Sequence, residues 1–146
     1  MTYIDTSILV SYYCPDPTSQ LVEDIILKIK RPAISQLTEV ELVSAISRKI
    51  REKNLSRSDG NRIISQFQSH IEKRLFRWIP MENKHYQTAK NWIAQFNTLL
   101  RTLDALHAAV ASSSNLTLLT ADAQLARSAR LFGLDVSTIS NKAISP

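Results

Sequence analysis

Short apolar segments alternate with longer amphipathic segments along nearly the whole chain. The short segments predict strands at 2–5, 33–35, 76–80 and 116–119, and a last edge strand at 135–137. The longer segments repeat their apolar residues with helical spacing and predict helices over about 6–13, 18–30, 36–53, 56–72, 82–96, 102–112 and 121–132. Strands that alternate with helices in this way indicate a parallel sheet covered by helices on both faces.

The helix predicted over 36–53 illustrates how the pattern assigns a core face. The helical period places its apolar residues on one side. The residues expected to point toward the core are Leu37, Val40, Val43, Ala45, Ile46 and Ile50.

The composition fits a single globular domain. The chain has 146 residues, of which 44% are hydrophobic, and this is enough for one core of ordinary size. We expect the domain to span 1–139 and the polar residues 140–146 to form a C-terminal tail. No apolar run is long enough for a membrane span and no signal peptide is visible, so a cytoplasmic location is expected.

Two rare residue types narrow the classes of protein further. The single cysteine, Cys14, excludes an internal disulfide and a cysteine-rich zinc site, and is expected to be a reduced, partly buried thiol. Gly60 and Gly133 are the only glycines, which argues against a glycine-rich phosphate loop or a dinucleotide fingerprint.

Four acidic residues stand among apolar neighbours, where an unpaired charge is costly. They are Asp5, Glu41, Asp104 and Asp122. Asp5 and Asp122 lie at or just after the end of a predicted strand, so a parallel sheet brings both to its carboxyl edge, where sites form in such sheets. Glu41 and Asp104 lie in the early part of predicted helices that can reach the same edge. The acids therefore predict one shared site.

Each acid also has an ordinary structural explanation when it is taken alone. Asp5 is a candidate helix N-cap, and Asp122 is a first-turn acid favoured by the helix dipole. The other two explanations are ion pairs along a helix, Glu41 with Arg48 and Asp104 with Arg101.

Hydroxyl groups stand beside two of the acids. Thr6 and Ser7 follow Asp5, and Thr120 precedes Asp122. Helix capping is their ordinary role, and the functional alternative is to orient a ligand water or a carboxylate.

Carboxylates gathered this closely repel one another unless a cation lies among them. Oxygen ligands without cysteine or a suitable histidine pair select hard cations such as Mg²⁺ or Mn²⁺. Asp5 and Asp104 are the expected direct ligands. Asp122 would bind directly or to a second metal, and Glu41 would act through water. Such a metal polarises a phosphoryl oxygen and activates a water for in-line attack.

The charge balance favours a polyanionic partner. Lys and Arg number 18 against 13 Asp and Glu, which gives a formal net charge of +5. The runs 48–53 and 73–78 concentrate cations with sequence-independent affinity for phosphates, although a solvated helix face explains each run, taken singly, slightly better.

The histidines are weaker candidates than the acids. His107 lies one helical turn after Asp104 and is expected to be a satisfied core or edge residue. His70 and His85 have no ligand partners at useful spacing.

Four segments carry motifs that match one family when they are taken together. They are Tyr3-Ile4-Asp5-Thr6-Ser7, Ile34-Ser35-Gln36-Leu37-Thr38-Glu39-Val40-Glu41-Leu42, Arg101-Thr102-Leu103-Asp104-Ala105-Leu106-His107-Ala108-Ala109, and Leu118-Leu119-Thr120-Ala121-Asp122 followed by Leu125-Ala126. This set resembles the PIN-domain family, in particular the VapC-type toxins of type II toxin–antitoxin pairs. The spacing of the second motif selects Glu41 over Glu39, and the third motif is the most specific. Gln124 is a minor departure, because many relatives carry an apolar residue there.

The resemblance implies a three-layer α/β/α PIN-like fold with a central, mostly parallel sheet of four to five strands. It implies an endoribonuclease that depends on Mg²⁺ or Mn²⁺, with transfer RNA as the family-level substrate and messenger or ribosomal RNA left open. It also implies a homodimer and a cognate antitoxin whose C-terminal segment wraps the toxin and covers the site. The implied catalytic residues are Asp5, Glu41, Asp104 and Asp122.

Two other classes of protein remain as alternatives. A non-catalytic RNA- or protein-binding module with the same fold would normally lose part of the acidic set, and a response to Mn²⁺ distinguishes it from a nuclease. A haloacid-dehalogenase-type phosphatase requires a second aspartate two residues after Asp5, where this chain has Ser7.

Overall fold

A computed structural model describes the backbone of residues 1–140 and 143–145 and the side chains of residues 1–139. The strands are β1 (Thr2–Ile4), β2 (Ala33–Ser35), β3 (Arg77–Ile79), β4 (Thr117–Thr120), β5 (Val136–Ser140) and β6 (Ala143–Ser145). The helices are α1 (Thr6–Tyr13), α2 (Ser19–Lys28), α3 (Gln36–Arg51), α4 (Arg57–Glu72), α5 (Asn83–Ile93), α6 (Thr102–Ser113) and α7 (Ala123–Leu131). All the predicted helices and strands are present, with ends that differ by a few residues.

The strands form one sheet in the order β3-β2-β1-β4-β5-β6. The first five are parallel, and β6 runs antiparallel to β5. The predicted three-layer α/β/α architecture with a largely parallel sheet is confirmed. Among the described residues, no helix has the length and apolar character needed to cross a membrane.

The C-terminal part of the sheet differs from the sequence-based prediction. The strand predicted at 135–137 is present as β5, but its predicted place at the edge is wrong, because β5 continues to Ser140 and lies between β4 and β6. The backbone at 143–145 forms β6 within the segment predicted as a polar tail, while 141, 142 and 146 lie outside the described residues. The domain boundary at 139 stays a prediction.

Two hydrophobic cores form against the sheet because side chains alternate along each strand. Tyr3 and Leu118 belong to one core, which is completed by α5, α6 and α7. Ile4 and Leu119 belong to the other core, which is completed by α1, α2, α3 and α4. Both β1 and β4 therefore contribute to the two cores and are covered on both sides.

The core face predicted for α3 is partly wrong. Val40 is 67% exposed and Val43 is 43% exposed, whereas Leu42 and Ile46 are buried. The helix faces the sheet through Thr38, Leu42 and Ile46, which follow one another at intervals of four residues. Val40 and Val43 lie off that face, so they remain in solvent.

The parallel pairing of β1 with β4 determines where the candidate site lies. Tyr3 is opposite Leu118 and Ile4 is opposite Leu119, so both strands end together at the carboxyl edge of the sheet. The backbone N–H of Asp5 continues this pairing by donating to the carbonyl of Leu119 at 3.1 Å. The residues that follow β1 and β4 therefore meet at one edge.

Candidate functional site

Asp5 is the most deeply buried of the acids, with 5% of its surface exposed. It is the N-cap of α1, and its Oδ1 accepts hydrogen bonds from the Ser7 hydroxyl at 2.5 Å and the Ile8 backbone N–H at 3.4 Å. Its Oδ2 accepts from the Thr120 hydroxyl at 2.6 Å. Burial raises the pKa of Asp5, and these donors oppose the rise. The capping explanation is therefore correct, and it coexists with a place at the edge of the sheet.

Asp104 is the acid with the least compensation. Burial is the largest cause of its raised pKa, and the negative charge of Asp122 is the next largest. Asp5 adds to the rise, while His107 and Arg101 oppose it. The effects of Asp122 and Asp5 on Asp104 indicate that Asp104 lies within electrostatic reach of both aspartates.

No hydrogen bond or ion pair to Asp104 is found among the described residues, so the proposed ion pair with Arg101 does not form. No buried side-chain oxygen or nitrogen of the described residues lacks a partner. The carboxylate oxygens of Asp104 are therefore open to solvent, where a ligand can reach them.

Asp122 caps a helix instead of lying in its first turn as expected. It is the N-cap of α7, and its Oδ1 accepts from the backbone N–H groups of Gln124 at 2.8 Å and Leu125 at 3.0 Å. Its own N–H donates to the Thr120 hydroxyl at 3.0 Å. Thr120 thus connects Asp122 with Asp5, which supports the interpretation that its hydroxyl orients a carboxylate.

Glu41 is held by two donors, neither of which comes from the hydrogen bonds around Asp5 and Asp122. Its Oε1 accepts from the Thr6 hydroxyl at 3.1 Å and from Nε2 of His107. Within the described part of the chain, Glu41 forms no ion pair with Arg48, so that ordinary explanation is wrong.

Glu39 has a different partner, which supports the choice of Glu41. The carboxylate of Glu39 accepts from the indole N–H of Trp78 on β3. The two glutamates are only two residues apart, but their side chains contact different parts of the fold.

His107 fits the sequence-based expectation of a satisfied, buried histidine, with 2% of its surface exposed. Its Nδ1 lies 2.6 Å from the Tyr3 hydroxyl, and that hydroxyl lies 2.8 Å from the Ser35 hydroxyl. Burial raises the pKa of Tyr3, which keeps its hydroxyl neutral. The contact of His107 with Glu41 is not predicted by the sequence, whose only signal is the position of His107 one turn after Asp104.

A groove of about 310 Å³ runs along α3 and includes one of the four acids, Glu41. Thr6, Glu41 and Leu103 line one part of it, and Arg48 and Arg51 line another. Both arginines are exposed, and they follow Glu41 on the same face of the helix. Part of the basic run at 48–53 therefore lines the same groove as Glu41.

The donor chemistry of the cluster fits a hard divalent cation. Asp104 and Asp122 keep carboxylate oxygens to which no described residue donates. Within the described residues, no three acidic, histidine or cysteine side chains are arranged to hold a metal ion by themselves. Mg²⁺ is commonly bound through only one or two carboxylates and completes its coordination with water and phosphate.

The family model described as the PIN domain matches residues 2–131, which include all four acids. The chain belongs to the PIN-domain family. A comparison with curated proteins gives no match.

Several solved structures share the fold at low sequence identity. FitAcB from Neisseria gonorrhoeae aligns with a TM-score of 0.72 and 20% identity, over 93% of this chain and 96% of that one. VapBC2 from Rickettsia felis, bound to a DNA fragment from its promoter, aligns with a TM-score of 0.68 and 20% identity, over 96% and 100%. VapC20 from Mycobacterium tuberculosis, described as a sarcin–ricin loop cleaving toxin, aligns with a TM-score of 0.65 and 13% identity, over 81% and 87%.

Proposed function

We propose that this PIN-domain protein is a metal-dependent endoribonuclease and the toxin of a toxin–antitoxin pair. The observation that carries the proposal is the Asp104 carboxylate, which accepts no hydrogen bond from the described residues and lies within electrostatic reach of Asp5 and Asp122. A divalent cation bound there would neutralise the charges that raise the pKa of Asp104. The low exposure of Asp5 makes the electrostatic interactions at that edge stronger than they would be in water.

Each acid has a distinct proposed role. Asp5 and Asp104 bind the metal directly, and Asp122 binds it directly or through a second metal. Glu41 acts through a water molecule. When bound, Mg²⁺ or Mn²⁺ supplies polarisation of a phosphoryl oxygen and a lowered pKa of a bound water.

Side chains of the protein itself orient these groups. Thr120 and Ser7 hold the Asp5 carboxylate through its two oxygens. Thr6 holds Glu41. These contacts support the interpretation that both threonines orient carboxylates in addition to any role near helix ends.

The groove beside the acids supports RNA as the substrate. Arg48 and Arg51 supply positive charge next to Glu41, and cations of this kind bind the phosphates of a nucleic acid whatever its sequence. A single strand placed along the groove would contact the positive charge of Arg48 and Arg51 and would also reach Glu41. Transfer RNA is the proposed substrate class, and ribosomal RNA is the alternative because VapC20 is described as cleaving the sarcin–ricin loop.

The proposed partners follow from the structural relatives. FitAcB, VapBC2 and a toxin–antitoxin complex from Klebsiella pneumoniae share the fold. We propose that this protein forms a homodimer in the cytoplasm and is neutralised by a cognate antitoxin that covers the acidic edge.

The decisive experiment is RNA cleavage by the purified protein with Mg²⁺ or Mn²⁺ and with EDTA. Cleavage is expected only with metal, and Asp104→Asn is expected to reduce its rate by at least about 100-fold, the order seen when a group that stabilises the transition state is removed. Asp59→Asn is the matched control, because Asp59 is an exposed first-turn acid paired with Arg62 on α4.

Two results would contradict the proposal. One is cleavage by Asp104→Asn at the wild-type rate. The other is a wild-type protein that binds RNA but cuts none of it with either metal, which would favour the binding-module alternative. Sequencing RNA ends after brief induction in cells, with Asp104→Asn as the inactive comparison, would identify the RNA that is cut.

A further inference from the structure

We propose that His107 and Tyr3 are positioning residues that hold Glu41 through a buried chain of hydrogen bonds with a fixed direction. The inference deepens the proposed function, because it concerns an acid of the same site. It rests on the contacts Ser35–Tyr3 at 2.8 Å, Tyr3–His107 at 2.6 Å and His107–Glu41.

The direction of the hydrogen-bond chain follows from its last member, Glu41, whose carboxylate can only accept. A carboxylate can only accept, so Nε2 of His107 must carry the hydrogen that faces Oε1 of Glu41. In a neutral imidazole, Nδ1 is then an acceptor, and the Tyr3 hydroxyl donates to it. That hydroxyl in turn accepts from Ser35. Every donor therefore points toward Glu41.

This arrangement divides the two oxygens of Glu41 between two tasks. Oε1 accepts from both Thr6 and His107. Among the described residues, none donates a hydrogen bond to Oε2, and the side chain is 23% exposed. The protein thus fixes one oxygen and leaves the other for a water molecule or the substrate.

This hydrogen-bond chain also connects four separate elements of the fold. Ser35 ends β2, Tyr3 lies in β1, His107 lies in α6 and Glu41 lies in α3. Ser35, Tyr3 and His107 are all almost completely buried, so water does not compete for these hydrogen bonds. The position of Glu41 is therefore set by the packing of the sheet against helices on both of its faces.

The first test is nuclear magnetic resonance of the side-chain nitrogens in histidine-labelled protein without RNA or metal. The wild type is expected to show His107 with a protonated Nε2 that exchanges slowly with water. Tyr3→Phe is expected to change the Nδ1 signal and to speed the exchange of the Nε2 proton. A bare Nε2 with the proton on Nδ1, or an exchange rate unchanged in Tyr3→Phe, would overturn the inference.

The second test compares two buried histidines with the same substitution. His107→Gln is expected to lower kcat for RNA cleavage by about 10- to 100-fold with little change in KM, as is typical when the support of a site ligand is lost. His85→Gln is the matched control, because His85 is 1% exposed and forms hydrogen bonds with Glu82 and with Ser113 at the other end of α6.

The outcomes of the second test separate a positioning role from a purely structural one. Equal values of kcat in the two variants would refute the positioning role, even if both melt at lower temperature. If the wild-type protein cleaves no RNA, the proposed function fails while the resonance experiment still decides the direction and the protection of the hydrogen-bond chain.

Discussion

The two ends of helix α6 accommodate polar side chains in opposite ways. At its last turn, the Ser113 hydroxyl lies 2.9 Å from Nε2 of the buried His85, whose Nδ1 accepts from the Glu82 N–H at 3.0 Å. At its first turn, Asp104 has a raised pKa, with burial and the charge of Asp122 as the two largest causes. One end satisfies its polar groups within the protein, and the other leaves repulsion between charges in place. Such a local conflict is expected where a site binds a ligand.

The addition of Mn²⁺ is expected to produce the largest change in stability, and this change should depend on Asp104 at the first turn of α6. Binding to the folded state alone stabilises it by about 2.7 kcal/mol when the free metal is about 100-fold above its Kd. The melting temperature of the wild type should therefore rise with the Mn²⁺ concentration, while that of Asp104→Asn should rise much less. Equal responses of the two proteins would place the metal elsewhere, and His85→Ala is expected to respond like the wild type.

Removal of His85, which contacts the last turn of α6, should have the next largest effect on stability. His85→Ala is expected to lower the free energy of unfolding by about 2 kcal/mol, because it leaves a cavity and removes the acceptor for the Glu82 N–H. Chemical denaturation measures this loss. Cleavage by the remaining folded protein should equal that of the wild type, and a loss of activity per folded molecule would mean that the two ends are coupled.

The smallest effect is expected from Asp104→Asn, and its sign is opposite. The variant should be more stable than the wild type at pH 7, by less than about 1 kcal/mol because the half-buried site is screened by solvent. A raised pKa in the folded state means that protonation favours folding. The difference should therefore shrink as the pH falls through the folded-state pKa toward the ordinary value of 3.8. Denaturation curves from pH 7 to pH 4 without metal measure it, and a variant less stable than the wild type at pH 7 would contradict the prediction.

The fold was predictable from the sequence because its signals are local. Alternation of apolar strands with amphipathic helices predicts the order of elements, and the family motifs predict the three-layer sheet. The face of α3 was less predictable, because Val40 and Val43 share the helical period with buried neighbours and only the packing decides which face is covered. Strand β6 was not predictable, because Ala143–Ser145 lies in a mostly polar segment and its pairing with β5 is a tertiary contact.

The site was predictable to a similar extent. The predicted strand ends alone bring Asp5 and Asp122 to one edge, and the motif spacing distinguishes Glu41 from Glu39. The chain from Ser35 through Tyr3 to His107 was not predictable, because its members are 32 and 104 residues apart and each resembles an ordinary buried residue. The catalytic and metal-binding roles of the acids stay predictions.

The double duty of Asp5 matters for anyone who needs an inert form of the protein. Its carboxylate also begins helix α1 and connects that helix to Thr120 on β4. An amide at position 5 would place an N–H group where a carboxylate oxygen now accepts a hydrogen bond. Asp5→Asn would therefore reduce both the activity and the stability of the fold. The Asp104 side chain forms no such hydrogen bonds with the described residues. Asp104→Asn is therefore the better variant for capturing an intact RNA on the protein.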